Sequence, residues 1–335
     1  MENILKLTNN YGAPDSIVDA IRSDPYTKDG ADFSVTELIK PPQIRRLWNK
    51  HEDDISVDVR EQIWKLLGTG VHAAIEQGPP CEECAGIGFV EVYTIYGLEL
   101  NEINPHHPDQ INNPHILYEL CPLCDGSGYA KSGGTKEQRF HAEHDGVTIS
   151  GAIDLIRDDG SIVDYKVTST YSVQRGLKED WEKQLNLYAW LLRQNGIVAT
   201  KLNIVCICRD WMKSRVGKYD YPESPVVVLS VPIWRDGRQD DYVDQRVRVH
   251  SQESTIPCTP EERWARGAYQ VNPMHSGGGK PRSFDTLQDA TDYINNKKTG
   301  SYKIKDGDAK YVRCESWCEV ADFCPQWKGG KGNGR

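Results

Sequence analysis

Apolar and polar residues alternate along several segments after residue 139, as they do in β-strands that bury one face. These segments are FHAEHDG (140–146), VTISGAIDLI (147–156), SIVDYKV (161–167), KLNIVCICR (201–209) and VVVLSVPIW (226–234). Between the third and the fourth, residues 178–193 place apolar side chains along one helical stripe, which predicts an amphipathic helix. This order of elements predicts an α/β core.

The preceding part of the chain has a helical pattern. Ser34 stands before the run VTELIK, and Glu37 follows it at the spacing of a capping box. We predict a further helix over 57–67. In the segment GTGVHAAIEQG (68–78), the glycines favour a turn that leads into a short helix carrying His72.

Composition narrows the class of protein. The chain has 335 residues, of which 38% are hydrophobic and 27% charged, and this is ordinary globular usage. Because it shows neither a membrane-length apolar run nor a secretory pattern, we expect a cytoplasmic protein (in the host cytoplasm if a phage encodes it) without a membrane partner. The net charge of −9 disfavours a protein that coats nucleic acid, so any DNA path would be a local basic strip.

Two carboxylates and a lysine are predicted to meet on one face of the sheet. Residues two apart on a strand share a face, so Asp164 and Lys166 point the same way. Asp154 stands among apolar neighbours on the preceding strand. A three-residue loop, Asp158–Gly160 with its glycine left-handed, would put Asp154 directly opposite Asp164, whereas a two-residue loop would put them on opposite faces.

Such a group suits phosphodiester hydrolysis. Carboxylates bind hard cations such as Mg²⁺ through oxygen, and the bound metal activates water and neutralises phosphate charge. The lysine can orient or deprotonate that water, or stabilise the transition state. A surface salt bridge between Asp164 and Lys166 is the commoner explanation of an isolated Asp-x-Lys, but it does not account for Asp154.

Neighbouring residues extend the pattern to a family resemblance. Four motifs carry it: Gly68-x3-His72, Gly151-Ala152-Ile153-Asp154, Val163-Asp164-Tyr165-Lys166 and Gln184-x3-Tyr188. In this order they resemble the RecB-type branch of the PD-(D/E)XK nucleases, from about Ser34 to Trp327. The resemblance implies that His72, Asp154 and Asp164 bind Mg²⁺ or Mn²⁺.

The same resemblance implies that Lys166 is catalytic and that Gln184 and Tyr188 flank the DNA path. Core packing is the alternative for Tyr188, a solvent-exposed position is the alternative for Gln184, and a core or capping role is the alternative for His72. The resemblance to compact phage-type members implies an exonuclease acting on DNA ends or single strands, with a recombination or replication protein as a possible partner.

Ten cysteines occur in a chain without a secretory pattern, and their spacing favours metal binding over disulfides. CEECAGIG (81–88) and CPLCDGSG (121–128) are both CxxCxGxG knuckles, which resemble the zinc-binding repeats of DnaJ-type chaperones over these eight residues each. Two knuckles form a four-cysteine site typical of structural Zn²⁺. We therefore expect zinc at Cys81, Cys84, Cys121 and Cys124, with reduced free cysteines as the alternative.

The segment RCESWCEVADFCPQW (313–327) contributes Cys314, Cys318 and Cys324. It resembles the cluster end of the iron–sulfur nucleases related to RecB, namely the AddB-type helicase-nucleases and the CRISPR-associated exonucleases. The resemblance implies a [4Fe–4S] cluster with Cys258 as the fourth ligand, and a second Zn²⁺ is the alternative. The sequence departs from that pattern in its x3 first gap and in the position of Cys258 after the nuclease core.

These patterns together predict a restriction-endonuclease-like α/β fold, a mixed central sheet flanked by helices. The predicted parts are a helical part (1–78), a zinc insert (79–133), the nuclease core (134–257), an iron–sulfur clasp (258–327) and a basic tail (328–335). Cys206 and Cys208 alternate within an apolar strand and are predicted to be buried core thiols.

The predicted function is that of a metal-dependent deoxyribonuclease. A sequence- or structure-specific endonuclease is one alternative, although the chain shows no recognition domain beyond the insert. A non-catalytic, metal-stabilised nucleic-acid-binding protein is another, and the intact set Asp154, Asp164 and Lys166 argues against it.

Overall fold

Helices and strands alternate through the parts of the chain that the computed structural model describes. These parts are residues 6–23, 28–85, 87–95, 115–124, 127, 134–218, 220–235, 237–252, 256–275, 279–297 and 299–327. The strands are β1 (Lys6–Thr8), β2 (Phe33–Ser34), β3 (Ser56–Asp58), β4 (Phe89–Ile95), β5 (His115–Leu120), β6 (Gly134–His144), β7 (Val147–Arg157), β8 (Ile162–Thr168), β9 (Leu202–Cys208), β10 (Val226–Val231), β11 (Ala265–Arg266), β12 (Tyr269–Pro273), β13 (Arg282–Phe284), β14 (Tyr302–Asp306) and β15 (Lys310–Tyr311). The helices are α1 (Asp15–Arg22), α2 (Val35–Ile39), α3 (Pro42–His51), α4 (Val59–Gln77), α5 (Thr170–Gln174), α6 (Glu179–Gln194), α7 (Arg238–Ser251), α8 (Leu287–Asn295) and α9 (Val312–Ser316).

The chain divides into two compact units. Unit 1 comprises Met1–Trp64, His141–Gly151 and Trp234–Arg335, and unit 2 comprises Lys65–Phe140 and Ala152–Ile233. The predicted basic tail, 328–335, lies outside the described residues. Within the described ranges, no helix is long and apolar enough to cross a membrane.

Unit 2 is built on a mixed sheet with the strand order β10-β9-β8-β7. β8 and β9 are parallel, and the β7–β8 and β9–β10 pairs are antiparallel. The chain passes from β8 to β9 through α5 and α6, because parallel neighbours need a crossover connection. α6 packs against both of these strands and fully buries side chains such as Leu187, Trp190 and Leu191. The predicted mixed sheet with flanking helices is confirmed.

The loop between β7 and β8 has the predicted length. Leu155 lies opposite Val163 and Ile156 opposite Ile162, and the Arg157 N–H donates to the Ser161 carbonyl, which leaves residues 158–160 as the loop. Gly160 has φ of 78°, and a Cβ there would lie 2.8 Å from a backbone carbonyl oxygen. Glycine is therefore required at this position. Continuing the pairing of Leu155 with Val163 by one residue places Asp154 opposite Asp164, so the two carboxylates face each other.

β4 and β5 form an antiparallel pair in unit 2, with Phe89 opposite Leu120. One cysteine knuckle precedes β4 and the other follows β5, so the hairpin brings both knuckles to the same end. The part of the predicted insert between them, residues 96–114, lies outside the described residues.

Unit 1 begins with short parallel pairs. β1 pairs with β3, and β2 pairs with the first half of β7, where Phe33 lies opposite Ile149. The Ser34 hydroxyl accepts the Glu37 N–H at 3.1 Å and the Glu37 carboxylate accepts the Ser34 N–H at 2.9 Å, so the predicted capping box is confirmed. Towards the C-terminus, β12 lies between β13 and β14 in a small sheet with α8 packed against it.

Two local predictions are wrong. The predicted turn at Gly68–Gly70 is absent, because both glycines lie inside α4, a single helix of 19 residues. Each glycine disfavours a helix by only about 1 kcal/mol relative to alanine, so neighbouring helical hydrogen bonds can carry the helix through both. The predicted helix start at Val57 is also wrong, since Val57 and Asp58 belong to β3.

Candidate active site and cysteine sites

Asp154, Asp164 and Lys166 lie together on β7 and β8. The Tyr165 N–H donates to Asp154 Oδ2 at 2.8 Å, and Lys166 Nζ lies 2.7 Å from Asp164 Oδ2. Asp164 is 1% exposed, whereas a quarter of the Lys166 side chain reaches solvent. The lysine therefore links a buried carboxylate to the surface.

His72 joins this group from α4. Its Nε2 lies 2.9 Å from the Tyr165 carbonyl oxygen, and because a carbonyl can only accept, Nε2 carries the hydrogen. Its Nδ1 lies 3.6 Å from Asp154 Oδ2. In the neutral ring, Nδ1 therefore carries a lone pair that faces a carboxylate oxygen. Two hydrogen-bond acceptors at this separation repel each other unless a proton or a metal cation lies between them.

The carboxylates are electrostatically unsatisfied. Burial, reinforced by the nearby Asp164 carboxylate, raises the pKa of Asp154 to about 6. Neither Asp164 oxygen has a hydrogen-bond partner in the described part of the chain, and the Lys166 ammonium is its ion-pair partner. A buried pair of like charges with free lone pairs is the arrangement that a divalent cation stabilises.

Gln184 and Tyr188 lie one turn apart on α6, and both are buried. Gln184 Nε2 donates to the Tyr188 hydroxyl oxygen at 2.9 Å. The core-packing alternative for Tyr188 agrees with this burial. Their role beside DNA stays a prediction.

Cys206 and Cys208 are both buried on β9, and the prediction of core thiols is confirmed. Cys206 stands next to Lys166 in the parallel β8–β9 register. Burial raises the pKa of Cys206 to about 11, so the thiol stays neutral beside the candidate site.

The first cysteine set converges on one point in unit 2. The four sulfur atoms all lie within 4.8 Å of one another, with Cys81 and Cys121 3.8 Å apart and Cys84 and Cys124 3.7 Å apart. The Gly88 N–H donates to Cys84 Sγ at 3.3 Å, as the knuckle pattern requires. Burial raises the pKa of Cys121 to about 11, so a bound cation is needed to hold this thiol as a thiolate.

The second cysteine set meets in unit 1. Cys258, Cys314, Cys318 and Cys324 line one cavity of about 20 Å³. No three of their sulfur atoms lie within 4.8 Å of one another, unlike those of the first set. Burial, followed by repulsion from Glu262 and the other three cysteines, raises the pKa of Cys258 to about 12.

Three polar residues around this cavity were not predicted from the sequence. Gln43 Nε2 donates to Cys324 Sγ at 3.1 Å, and Arg263 Nε donates to Cys314 Sγ at 3.5 Å. Gln326 holds the backbone of Cys258 by accepting its N–H at 3.0 Å and donating to its carbonyl at 2.8 Å. Nothing in their local sequence signals these roles, because each partner is 51 to 281 positions away.

Comparison with known proteins points to one family. The sequence profile of the PD-(D/E)XK nuclease superfamily matches residues 127–325. A comparison with curated proteins gives no match. Among solved structures, the protein SSO0001 is 14% identical with a TM-score of 0.41, covering 75% of this chain and 92% of its own. A protein of Eubacterium rectale, provisionally named an exonuclease, is 14% identical with a TM-score of 0.24, covering 50% of this chain and 54% of its own.

Proposed function

We propose that this chain, which belongs to the PD-(D/E)XK nuclease superfamily, is a metal-dependent deoxyribonuclease of the RecB-type branch that acts on DNA ends or single strands. The observation that carries the proposal is the convergence of His72, Asp154 and Asp164 beside Lys166. The preference for ends or single strands rests on the sequence resemblance alone.

The donor set fits a divalent cation. Asp164 offers a buried Oδ1 without a hydrogen-bond partner among the described residues and a buried Oδ2 that lies 2.7 Å from Lys166 Nζ, and the Nδ1 lone pair of His72 faces Asp154 Oδ2. Carboxylate oxygens with one imidazole suit Mg²⁺ or Mn²⁺ better than softer metals. His72, Asp154 and Asp164 would therefore hold the ion, which would acidify a water molecule and neutralise charge on the scissile phosphate.

The other residues of the site hold and orient this set. The peptide groups of Tyr165 fix two of the ligands, because its N–H holds Asp154 and its carbonyl holds His72. Lys166 Nζ is anchored by Asp164 and partly exposed, so it can donate to the attacking water or to a phosphate oxygen.

The spacing of the first cysteine set supports zinc. Four sulfurs at ~2.3 Å from one ion stand at tetrahedral corners ~3.8 Å apart, and the two measured separations are 3.8 and 3.7 Å. We propose a closed structural Zn²⁺ site at Cys81, Cys84, Cys121 and Cys124.

The wider second set supports a larger group. A four-iron cluster keeps its thiolates further apart than a single ion does, and N–H donors to sulfur such as Gln43 and Arg263 tune such clusters. We propose a [4Fe–4S] cluster at Cys258, Cys314, Cys318 and Cys324, with a second Zn²⁺ as the alternative.

Asp154→Ala tests the catalytic proposal. End-labelled single- and double-stranded DNA is incubated with Mg²⁺, Mn²⁺ or EDTA, alongside Asp158→Ala as the matched change in the neighbouring exposed turn. We expect Asp154→Ala to lower cleavage at least about 100-fold, because even the outer partners of metal ligands contribute 10- to 100-fold. The control variant should cleave normally.

The fold should survive this substitution. Burial raises the pKa of Asp154 to about 6, so the carboxylate, which is the main form at neutral pH, costs the folded protein stability relative to the unfolded chain, and removing it should leave metal-free stability unchanged or higher. Equal cleavage by Asp154→Ala and wild type, or cleavage in EDTA, would refute the proposal. A closed circular substrate, which has no ends, separates exonuclease from endonuclease action.

A further inference from the structure

The loop that follows β9 carries positive charge in an otherwise acidic chain. Of the connection between β9 and β10, residues 219–225 contain Asp220 and Glu223, whereas residues 209–218, RDWMKSRVGK, contain four cationic side chains and one carboxylate in a chain with a net charge of −9. We call this segment the β9 loop. Its only carboxylate, Asp210, accepts the Thr170 N–H at 2.7 Å and the Thr170 hydroxyl at 3.2 Å, so it is used to anchor the loop.

The β9 loop has a defined conformation. Trp211 Nε1 donates to the Pro222 carbonyl at 2.9 Å, and the Met212 N–H donates to the Tyr221 hydroxyl at 2.7 Å, which closes the loop at its base. A 3-10 turn spans Lys213–Arg215, and the Lys218 N–H continues it to the Arg215 carbonyl at 3.1 Å. The spacing of the cations is therefore fixed by the backbone.

Three of these cations face solvent without an anionic partner. Lys213, Arg215 and Lys218 are all exposed, and none of them forms an ion pair with another described residue. Met212 and Val216, which are 48% and 39% exposed, stand between them. Unpaired cations interleaved with exposed apolar side chains suit a ligand that offers both anionic groups and flat apolar faces.

The β9 loop begins next to the candidate active site. β8 and β9 are parallel, so both end at the same edge of the sheet, and the Arg209 N–H donates to the Thr168 carbonyl at 2.9 Å. Thr168 lies two residues beyond Lys166 on the same face of β8. Lys178 belongs to the same neighbourhood. Desolvation lowers its pKa, with further lowering from the charges of Arg209 and Lys166.

We infer that the β9 loop is the binding track for a single strand of nucleic acid next to the candidate active site. The inference rests on the proposed function and names how its substrate is held. A site of buried carboxylates repels phosphate, so a polyanion needs a cationic surface beside it. The cations then follow the phosphates, as the positively charged grooves of other single-strand binders do, and the exposed Met212 and Val216 between them offer apolar contacts to the bases.

The test removes the three unpaired charges together, in Lys213→Gln/Arg215→Gln/Lys218→Gln. The matched control is Lys303→Gln/Lys305→Gln/Lys310→Gln, which makes the same change in net charge on exposed lysines of unit 1. Binding of a fluorescein-labelled oligothymidylate of about 20 nucleotides is measured in EDTA over a range of salt concentrations, so no cleavage occurs.

We expect the β9-loop variant to lose at least about tenfold in affinity and its salt slope to fall by about 2, since each lost phosphate contact on a single strand contributes about 0.7. The control variant should bind like wild type. Hydrolysis of the small substrate thymidine 5′-(p-nitrophenyl phosphate) by the control variant should also match wild type, because its substitutions lie in unit 1 and outside the candidate active site.

The outcomes separate this inference from the proposed function. If neither the wild type nor any variant hydrolyses any substrate, the proposed function fails. The binding comparison still tests whether the β9 loop is the binding track. Equal affinity losses in the two triple variants, or an unchanged salt slope, would overturn the track. So would charge-dependent binding to vesicles of phosphatidylserine and phosphatidylcholine without any binding to oligothymidylate.

Discussion

The two cysteine sites each gather four thiols, but they are built in different ways. In unit 2 the thiols come from two similar knuckles at one end of the β4–β5 hairpin, and all four sulfurs lie within 4.8 Å of one another. In unit 1 three thiols come from the C-terminal segment and the fourth from Cys258, and the sulfurs surround a small cavity at wider spacing.

Their surroundings differ as well. Among described residues, Val90 is the apolar side chain packed against the first set. The second set belongs to a larger cluster in which Cys318 and Cys324 are buried with Leu47, Val57 and Val320. The first site therefore joins the two knuckles beside β4 and β5, whereas the second ties α3 and β3 to the C-terminal segment inside the core of unit 1.

The largest expected effect follows from this contrast. Cys324→Ser removes a proposed metal ligand from the core of unit 1, and we expect it to lower the free energy of unfolding by more than about 3 kcal/mol, because binding of the proposed cluster would be part of folding. Cys121→Ser, the matched change at an equally buried ligand, should unfold the knuckles alone. Urea unfolding measures the first effect.

Hydrogen exchange read separately for the two units measures the second effect. In Cys121→Ser, the amides of β8 and β9 should keep their protection while those of β4 and β5 lose it. If both variants lower global stability equally, the two sites do not differ in the way their surroundings indicate.

A second way to sharpen the comparison is metal content. Protein purified without oxygen should be brown and hold iron together with one zinc, since the closely spaced set fits one ion and the wider set fits a cluster. Cys258→Ser should lose the iron and keep the zinc. Colourless protein with two zinc ions would exclude the cluster and keep the ligands, whereas unchanged metal content in Cys258→Ser would exclude Cys258 as a ligand.

Local rules account for the parts of the site that sequence could predict. The facing carboxylates followed from strand periodicity and from one three-residue loop, in which Gly160 adopts the required positive φ. The capping box at Ser34 followed from spacing alone. Each of these features depends on residues within a few positions of one another.

Features that depend on distant partners could not be predicted. Gln43 donates to a sulfur 281 positions away, and the Tyr165 peptide group orients His72 from 93 positions away. The turn wrongly predicted at Gly68–Gly70 has a different origin, because the small local preference of two glycines does not decide the course of a long helix. The positive charge of the β9 loop was visible in the sequence, but its position beside Lys166 came only from the parallel register of β8 and β9.

The smallest predicted effect is a loss of stability at acidic pH. It adds a difference between the units that does not depend on metal. His250 of unit 1 is 4% exposed, and its Nε2 lies 3.1 Å from an Arg246 guanidinium nitrogen and 3.2 Å from the Lys40 carbonyl oxygen. Burial, followed by the positive charges of Arg246 and Arg45, lowers the pKa of His250 from 6.5 to about 4. Protonation would add a positive charge beside Arg246 and Arg45, so the folded state favours the neutral ring.

In the unfolded chain His250 is protonated below about pH 6.5, whereas in the folded chain it stays neutral until the pH approaches 4. The contribution to stability is therefore complete above pH 6.5 and is lost as the pH falls, by about 2 kcal/mol between about pH 7.5 and pH 5. The glutamine of His250→Gln cannot titrate. Between about pH 7.5 and pH 5 the unfolding free energy of this variant should therefore fall by about 2 kcal/mol less than that of wild type. Urea unfolding at both pH values gives this difference, and metal content measured at each pH separates it from thiolate protonation, which both proteins share. An identical loss in the two proteins would mean that the acid sensitivity of unit 1 comes from its cysteine site and not from His250.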